Sequence, residues 1–526
     1  MLRANFSERS TMRRIPVLAL SAACLLPLSS PAQTPRLGTI DFPTSGSAAA
    51  QPHFLRGVLF LHSFEYAAAL AAFRQAEQAD PGFVMAWWGE AMTWTHPVWN
   101  QQNADSARAT LARLAPSRAA RLAMAPTPRE RAWLEAVEAL YGDGAKQRRD
   151  TLYSNAMMKM VDDFPDDMEA RSFAALSLLG LNQGVRDVAA YMRAAALVAP
   201  IFERNPDHPG AAHILIHAFD DPMHAPLGLA AARAYSRIAP DAAHAQHMTT
   251  HIFFALGMWD DAISQNVIAA NQTAWVPGHY TQWLGYAYLQ EGRYGEALRH
   301  LERVRGGMRA APGQRNSLAW MRGEYLINTE RWSALPALWV IDVSATPNAA
   351  AYDQFVAGYA AAKRGDRAAA AAARIVVARL ADTVLARGDS LGSRTLGVME
   401  RELRAMVALA DGSTDQALAL LREATLIEDA LPMDFGPPPI VKPSHELFGE
   451  VLLQLHRPAD AQREFTRSLA LAPGRARSLI GQVRSAAAAG DRPVAEAAYR
   501  LLAANWRQAD GDLRDLADLR QLVAAR

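Results

Sequence analysis

In 526 residues there is one cysteine, Cys24, and it lies in an N-terminal stretch that reads as a removable export signal. The processed chain then has no thiol, which excludes disulfides, cysteine nucleophiles and thiolate metal ligands together. Runs of β-branched residues alternating with polar ones are almost missing, while alanine and leucine are abundant, so the composition favours helix over sheet. Charge of either sign is not in excess: Lys+Arg 54 stand against Asp+Glu 53, a formal +1. No basic tract is interleaved with aromatics, which argues against a nucleic-acid partner. The one long apolar stretch, Ile15 to Leu28, is short for a bilayer and broken by Pro16 and Pro27, so no transmembrane segment is expected in the processed chain. A P-loop and a dinucleotide-binding fingerprint are both missing.

What is present begins with that N-terminus. Arg13 and Arg14 precede the apolar stretch, and the small-residue site Ser30-Pro31-Ala32 follows it. This is the order of a secretory signal over residues 1–32, and it predicts a periplasmic or secreted protein. The paired arginines also fit a twin-arginine signal, which leaves the export route open. A lipoprotein box around Cys24 is the weaker reading, because its leucine is displaced to Leu20.

Residues 33–49 are rich in Pro, Ser, Thr and Gly and read as a linker. From residue 50 a pattern of small, aromatic and proline landmarks repeats. Gly57, Tyr66, Ala69, Phe73, Ala76 and Pro81 set the frame. It returns at Gly257, Trp259 and Ala262, then at Gly285, Tyr288, Gly292, Tyr294 and Ala297. Later copies fall at Gly412, Ala417, Leu421 and Ala424, and at Gly449, Ala461, Phe465 and Pro473. Small residues let paired helices approach closely, and prolines end the second helix of each pair.

In these landmarks residues 50–510 resemble the tetratricopeptide repeat (TPR) family. The resemblance implies an all-α, right-handed superhelical solenoid of antiparallel helix pairs, with first helices lining a concave groove. Three regions are expected: 50–310 with a histidine cluster, 311–441 with degenerate repeats, and 442–526 with the last repeats and a capping helix. Phe435 to Pro443 (FGPPPIVKP) reads as an extended connector. The blocks HPGAAHILIH and HAQHMTTHIF further resemble a group of exported bacterial TPR proteins whose activity is unassigned.

Those blocks carry most of the chemistry. Seven of the 14 histidines fall between His208 and His251. His213 and His217 are four apart, His247 and His251 are four apart, and both pairs repeat after 34 residues, the length of one TPR unit. A four-residue step places two rings on one helix face. Equivalent positions on neighbouring first helices predict four imidazoles facing one point. His244 shares the face of His247, and His279 approaches from the next first helix. Asp220, Asp221 and His224 are the expected supporting groups. Such a cluster predicts a divalent transition metal, Zn, Cu, Fe or Ni, released as the rings protonate near about pH 5. A polar or anion-binding groove and purely structural histidines stay open as alternatives.

A zincin would carry Glu beside the first histidine of its pair, but Ile214 and Met248 occupy those places. The leading expectation is a scaffold that holds a peptide, protein or small-molecule ligand in its groove. A metal-dependent hydrolase or oxidoreductase and a metal-free interaction scaffold are the alternatives. Glu446 and Glu450 share one helix face far along the chain, and whether they reach the site depends on how far the superhelix closes.

Overall fold

The structure, a computed structural model, describes residues 34–182, 185–309 and 311–524. The export signal expected over residues 1–32 lies outside them. The described residues from Arg36 onward form one compact unit. Among the described residues it holds 25 α-helices, and the only strands are Thr95–His96 and Gln101–Gln102, which pair antiparallel. No helix there is long and apolar enough to cross a membrane.

Nearly every helix packs on the next, and in several places also on the next but one: Pro209–Ala218 touches Ala225–Ile238 and also Ala243–Ala255. Short connections between consecutive packed helices make them antiparallel. This is the all-α, TPR-like solenoid of helix pairs. Local sequence sets the helix starts. Asp167, Asp187 and Asp491 accept backbone N–H groups at N-caps, and Pro128, Pro209 and Pro458 sit in first turns, where no donor is lost.

The small landmarks work by close approach. A Cβ on Gly57 would sit 2.6 Å from the Phe73 ring, and one on Gly89 would sit 2.2 Å from it. Glycines on two helices therefore make the slot for one fully buried aromatic, whose burial contributes about 1.5–3 kcal/mol.

Residues 34–49, read as a linker, have no regular structure but do not swing free. Phe42 packs with Phe54, Trp88 and Trp133, and Leu37 is buried beside Ile238 and Tyr235. Their apolar side chains outweigh the turn-forming residues around them. The segment 118–165 forms three helices without the glycine landmarks. Between Thr329 and Pro347 the chain is irregular apart from a single 3-10 turn, Leu335–Leu338. The final helix, Asp515–Ala524, packs on Ala476–Ala489.

Two long-range contacts shape the site. The first helix, Gln51–His62, folds onto Pro209–Ala218. At the other end, residues 473–510 close on residues 257–295. The Trp259 indole N–H donates to the Gly474 carbonyl at 3.2 Å, and the Trp506 indole donates to the Gln290 carbonyl at 3.0 Å.

Candidate metal centre

His208 caps the Pro209–Ala218 helix, its Nδ1 accepting the Ala211 N–H at 3.1 Å. Gly210 follows because the His62 ring lies against it; a Cβ there would fall 2.3 Å from His62 Nδ1. His213 and His217 then point one turn apart from the same helix. Helix Ala243–Ala255 supplies His244, His247 and His251, and His279 is the first residue of His279–Gln290.

The six rings form two trios rather than one tetrad. His213, His217 and His244 offer nitrogens within 4.8 Å of one another, and so do His247, His251 and His279. Expectation and structure differ here for a helical reason. His244 lies almost two turns before His251, so one helix feeds two points along its length. His244 faces back to the Pro209–Ala218 pair, and His247 with His251 faces forward to His279. The trios are neighbours: the His217 and His251 ring centroids are 6.1 Å apart, and those of His244 and His247 are 6.3 Å apart.

Hydrogen bonds fix which nitrogen of each ring is free. In the second trio, His251 Nδ1 lies 2.5 Å from Asp220 Oδ2, so it donates to that carboxylate. His247 Nδ1 lies 2.8 Å from Asn266 Oδ1. The Asn266 amide is oriented by Thr250, whose hydroxyl donates to the His247 carbonyl and accepts from Asn266 Nδ2. Both rings thus carry the proton on Nδ1 and a lone pair on Nε2, and these two Nε2 atoms face each other at 3.2 Å. Two nitrogens bound tetrahedrally to one ion at about 2.0–2.1 Å would be about 3.4 Å apart. Lone pairs at that distance repel unless a cation lies between them.

The first trio tells the same story. His213 Nδ1 donates to the His62 carbonyl at 2.7 Å, which leaves its Nε2 as an acceptor. The Nε2 atoms of His213, His217 and His244 are all buried without a hydrogen-bond partner. Buried polar atoms are rarely left this way. Burial pushes His213 down to about 3, and His217, His244 and His247 well below the ordinary imidazole value, with neighbouring rings adding repulsion. Neutral imidazole is the ligating form, and burial favours that form here over the protonated ring.

A third group, His62, Glu169 and His208, also has metal-like spacing. Its bonds close among themselves: His62 Nε2 to Glu169 at 2.7 Å and His208 Nε2 to Glu169 at 3.0 Å. Because His208 Nδ1 accepts a backbone N–H, its Nε2 is the donor and offers no lone pair. Burial opposes the Glu169 charge, but His62 and His208 hold its carboxyl far below the usual range. This group props up the first trio through the His62 carbonyl.

Asp220 stands against His251, while Asp221 and His224 are placed elsewhere. Asp221 takes the Arg186 guanidinium and the His224 ring at 2.6 and 2.7 Å, since its position at the helix end turns it toward Arg186. Glu446 does not reach the histidines; Arg475 and Lys442 hold it instead. Five of the six rings are shut away from solvent, His213, His217, His244, His247 and His251 being 0–5 % exposed, while His279 is exposed. The connector read at Phe435 to Pro443 packs inward, its Phe435 ring 5.0 Å from His251 and 6.5 Å from Trp283. Asn266, Phe64 and Tyr280 escaped the sequence reading, because no local spacing ties them to the histidine blocks.

No family model matches the chain, and no curated protein is similar to it in sequence. Among solved structures it is similar to human IFIT1, seen as a dimer with m7Gppp-AAAA, at 13% identity and TM-score 0.34 over 89% of this chain and 91% of that one. It is also similar to the Cut9–Hcn1 hetero-tetramer of APC/C, at 10% identity and TM-score 0.29 over 91% and 97%. Yeast Tom70 matches at 10% identity and TM-score 0.28 over 90% and 95%.

Proposed function

We propose that this is a metal-binding helical-repeat protein that holds a divalent transition metal at each of two adjacent trihistidine sites. Each ion keeps a coordination position open for a ligand. The observation that carries the reading is the pair of His247 and His251 Nε2 lone pairs facing at 3.2 Å, with both Nδ1 protons committed elsewhere. Three imidazoles without carboxylate or thiolate ligands suit Zn, Cu, Fe or Ni rather than Mg or Ca. Three protein ligands with a vacant fourth position are also the pattern of a working site rather than a closed structural one. The reading retains the extracytoplasmic setting drawn from residues 1–32.

A catalytic use of the same ions is the second reading. Two cavities of about 480 and 440 Å³ adjoin His279, a size that fits a small molecule better than a peptide or protein. The test is metal analysis of protein purified without a polyhistidine tag and loaded with Zn. The expected result is two ions per chain, falling to one in a His247→Ala/His251→Ala variant. A content below about a tenth of an ion per chain would overturn the proposal.

A further inference from the structure

The 480 Å³ cavity and its neighbour meet the metal sites with opposite chemistry. The 440 Å³ cavity carries Glu324, Asp389 and Asp434 in its wall. The larger one has no Asp, Glu, Lys or Arg. Its wall is built from Phe64, Tyr66, Trp99 and Tyr280, together with His244 from the first trio and His279 from the second. It is therefore an aromatic chamber that opens onto a ligand of each proposed ion.

Three features mark it as more than a packing defect. Trp99, at the end of a 3-10 turn, leaves 42 % of its surface exposed in a protein whose other large aromatics are mostly buried. The Tyr66 hydroxyl is buried without a partner, so a ligand's polar group would complete it. Phe64 holds φ at +53°, a left-handed backbone that a bulky residue rarely adopts. That strain sets its ring 4.3 Å from His213 and 5.4 Å, stacked, from His244. Backbone strain of this kind is found where a site is pre-organised.

We infer that this cavity binds a small, planar aromatic molecule of the phenol or catechol class, without carboxylate, phosphate or ammonium groups, with its oxygen directed at the metal-binding histidines. With no Asp, Glu, Lys or Arg in the wall, a ligand's own carboxylate, phosphate or ammonium group would find no side-chain counter-charge there. The flat rings of Trp99 and Tyr280 select planar ligands by stacking. A phenolic oxygen supplies the donor that an ion with three imidazoles lacks. The inference rests on the metal reading for the oxygen's direction, but not for the cavity's occupancy.

The probe is 4-nitrocatechol, whose visible absorbance shifts when a metal takes its oxygens, titrated into Zn-loaded and metal-free protein. The expected result is binding to both forms, at least tenfold tighter with Zn, with the coordination shift seen only with Zn. Trp99→Ala, a partly exposed side chain, should weaken binding at least tenfold in both forms while leaving Zn content unchanged. Cyclohexane-1,2-diol, non-planar and non-aromatic, should not compete. Equal binding by Trp99→Ala and wild type, or competition by the diol at similar concentration, would overturn the inference. If the protein took up no Zn, the metal reading would fail, and the Trp99→Ala effect on metal-free protein would still decide the cavity's role.

Discussion

The Arg475 guanidinium donates to the Tyr286 hydroxyl at 2.9 Å, joining residues 189 apart in the chain. The same side chain holds Glu446 with two bonds of 2.7 and 3.0 Å, and all three groups are buried. The last repeats are thereby fastened to the helices beside the histidine centre. Burial opposes both charges, but their attraction holds the Glu446 carboxyl well below its usual range and the Arg475 guanidinium above its own.

Removing one partner of that pair strands the other in a low-dielectric interior. Arg475→Ala should therefore cost about 3–5 kcal/mol, read as a shift in the urea midpoint. The paired replacement Arg475→Met/Glu446→Met removes both charges and should recover most of the loss. Equal destabilisation of the single and double variants would show that the ion pair itself, rather than the stranded charge, carries the energy.

Asp220 orients the His251 ring and fixes its tautomer through the 2.5 Å bond to Nδ1. Asp220→Asn keeps an acceptor but loses the charge, so metal affinity should fall about 10–100-fold at one site. The His213, His217 and His244 site has no carboxylate in its trio and should hold its affinity. Competition against a chelating dye should turn one-step binding into two clearly separated steps. An unchanged titration would place Asp220 outside the metal's influence.

Glu324 is buried, and that burial lifts its carboxyl to about 8, against a hydrogen bond from Gln282 and the charge of Arg475. A carboxyl with a raised folded-state pKa keeps its proton where the unfolded chain has lost it. Its contribution is full below about 4.5 and is lost as pH rises through about 8. Glu324→Gln should therefore gain on wild type between pH 5 and 8, by at most about 1.4 kcal/mol per pH unit. Paired unfolding curves across that range give the difference directly. Parallel pH profiles would mean that Glu324 is ionised in the folded protein.

Much of the local structure was readable from the chain. Helix pairing followed from Gly57, Phe73, Gly449 and Phe465, because a missing Cβ beside a large ring is a local, repeating requirement. The two histidine pairs followed from the four-residue step along a helix. The split into two trios was not legible. It depends on the lengthwise offset of His244 from His251 and on where Pro209–Ala218 and His279–Gln290 lie against Ala243–Ala255. Asp221 failed for the same reason: adjacency to Asp220 in sequence says nothing about which side chain faces His251.

The sequence by itself determined the helices, their pairing and the supply of imidazoles, since each follows from spacing within a few turns. Tertiary structure alone decided which rings meet and which nitrogen each one frees. It also brought Phe435 and the aromatic cavity to the centre, and led the last repeats back onto residues 257–295. Those outcomes join residues up to 248 positions apart, and a periodic pattern of near neighbours carries no information about the closure that unites them.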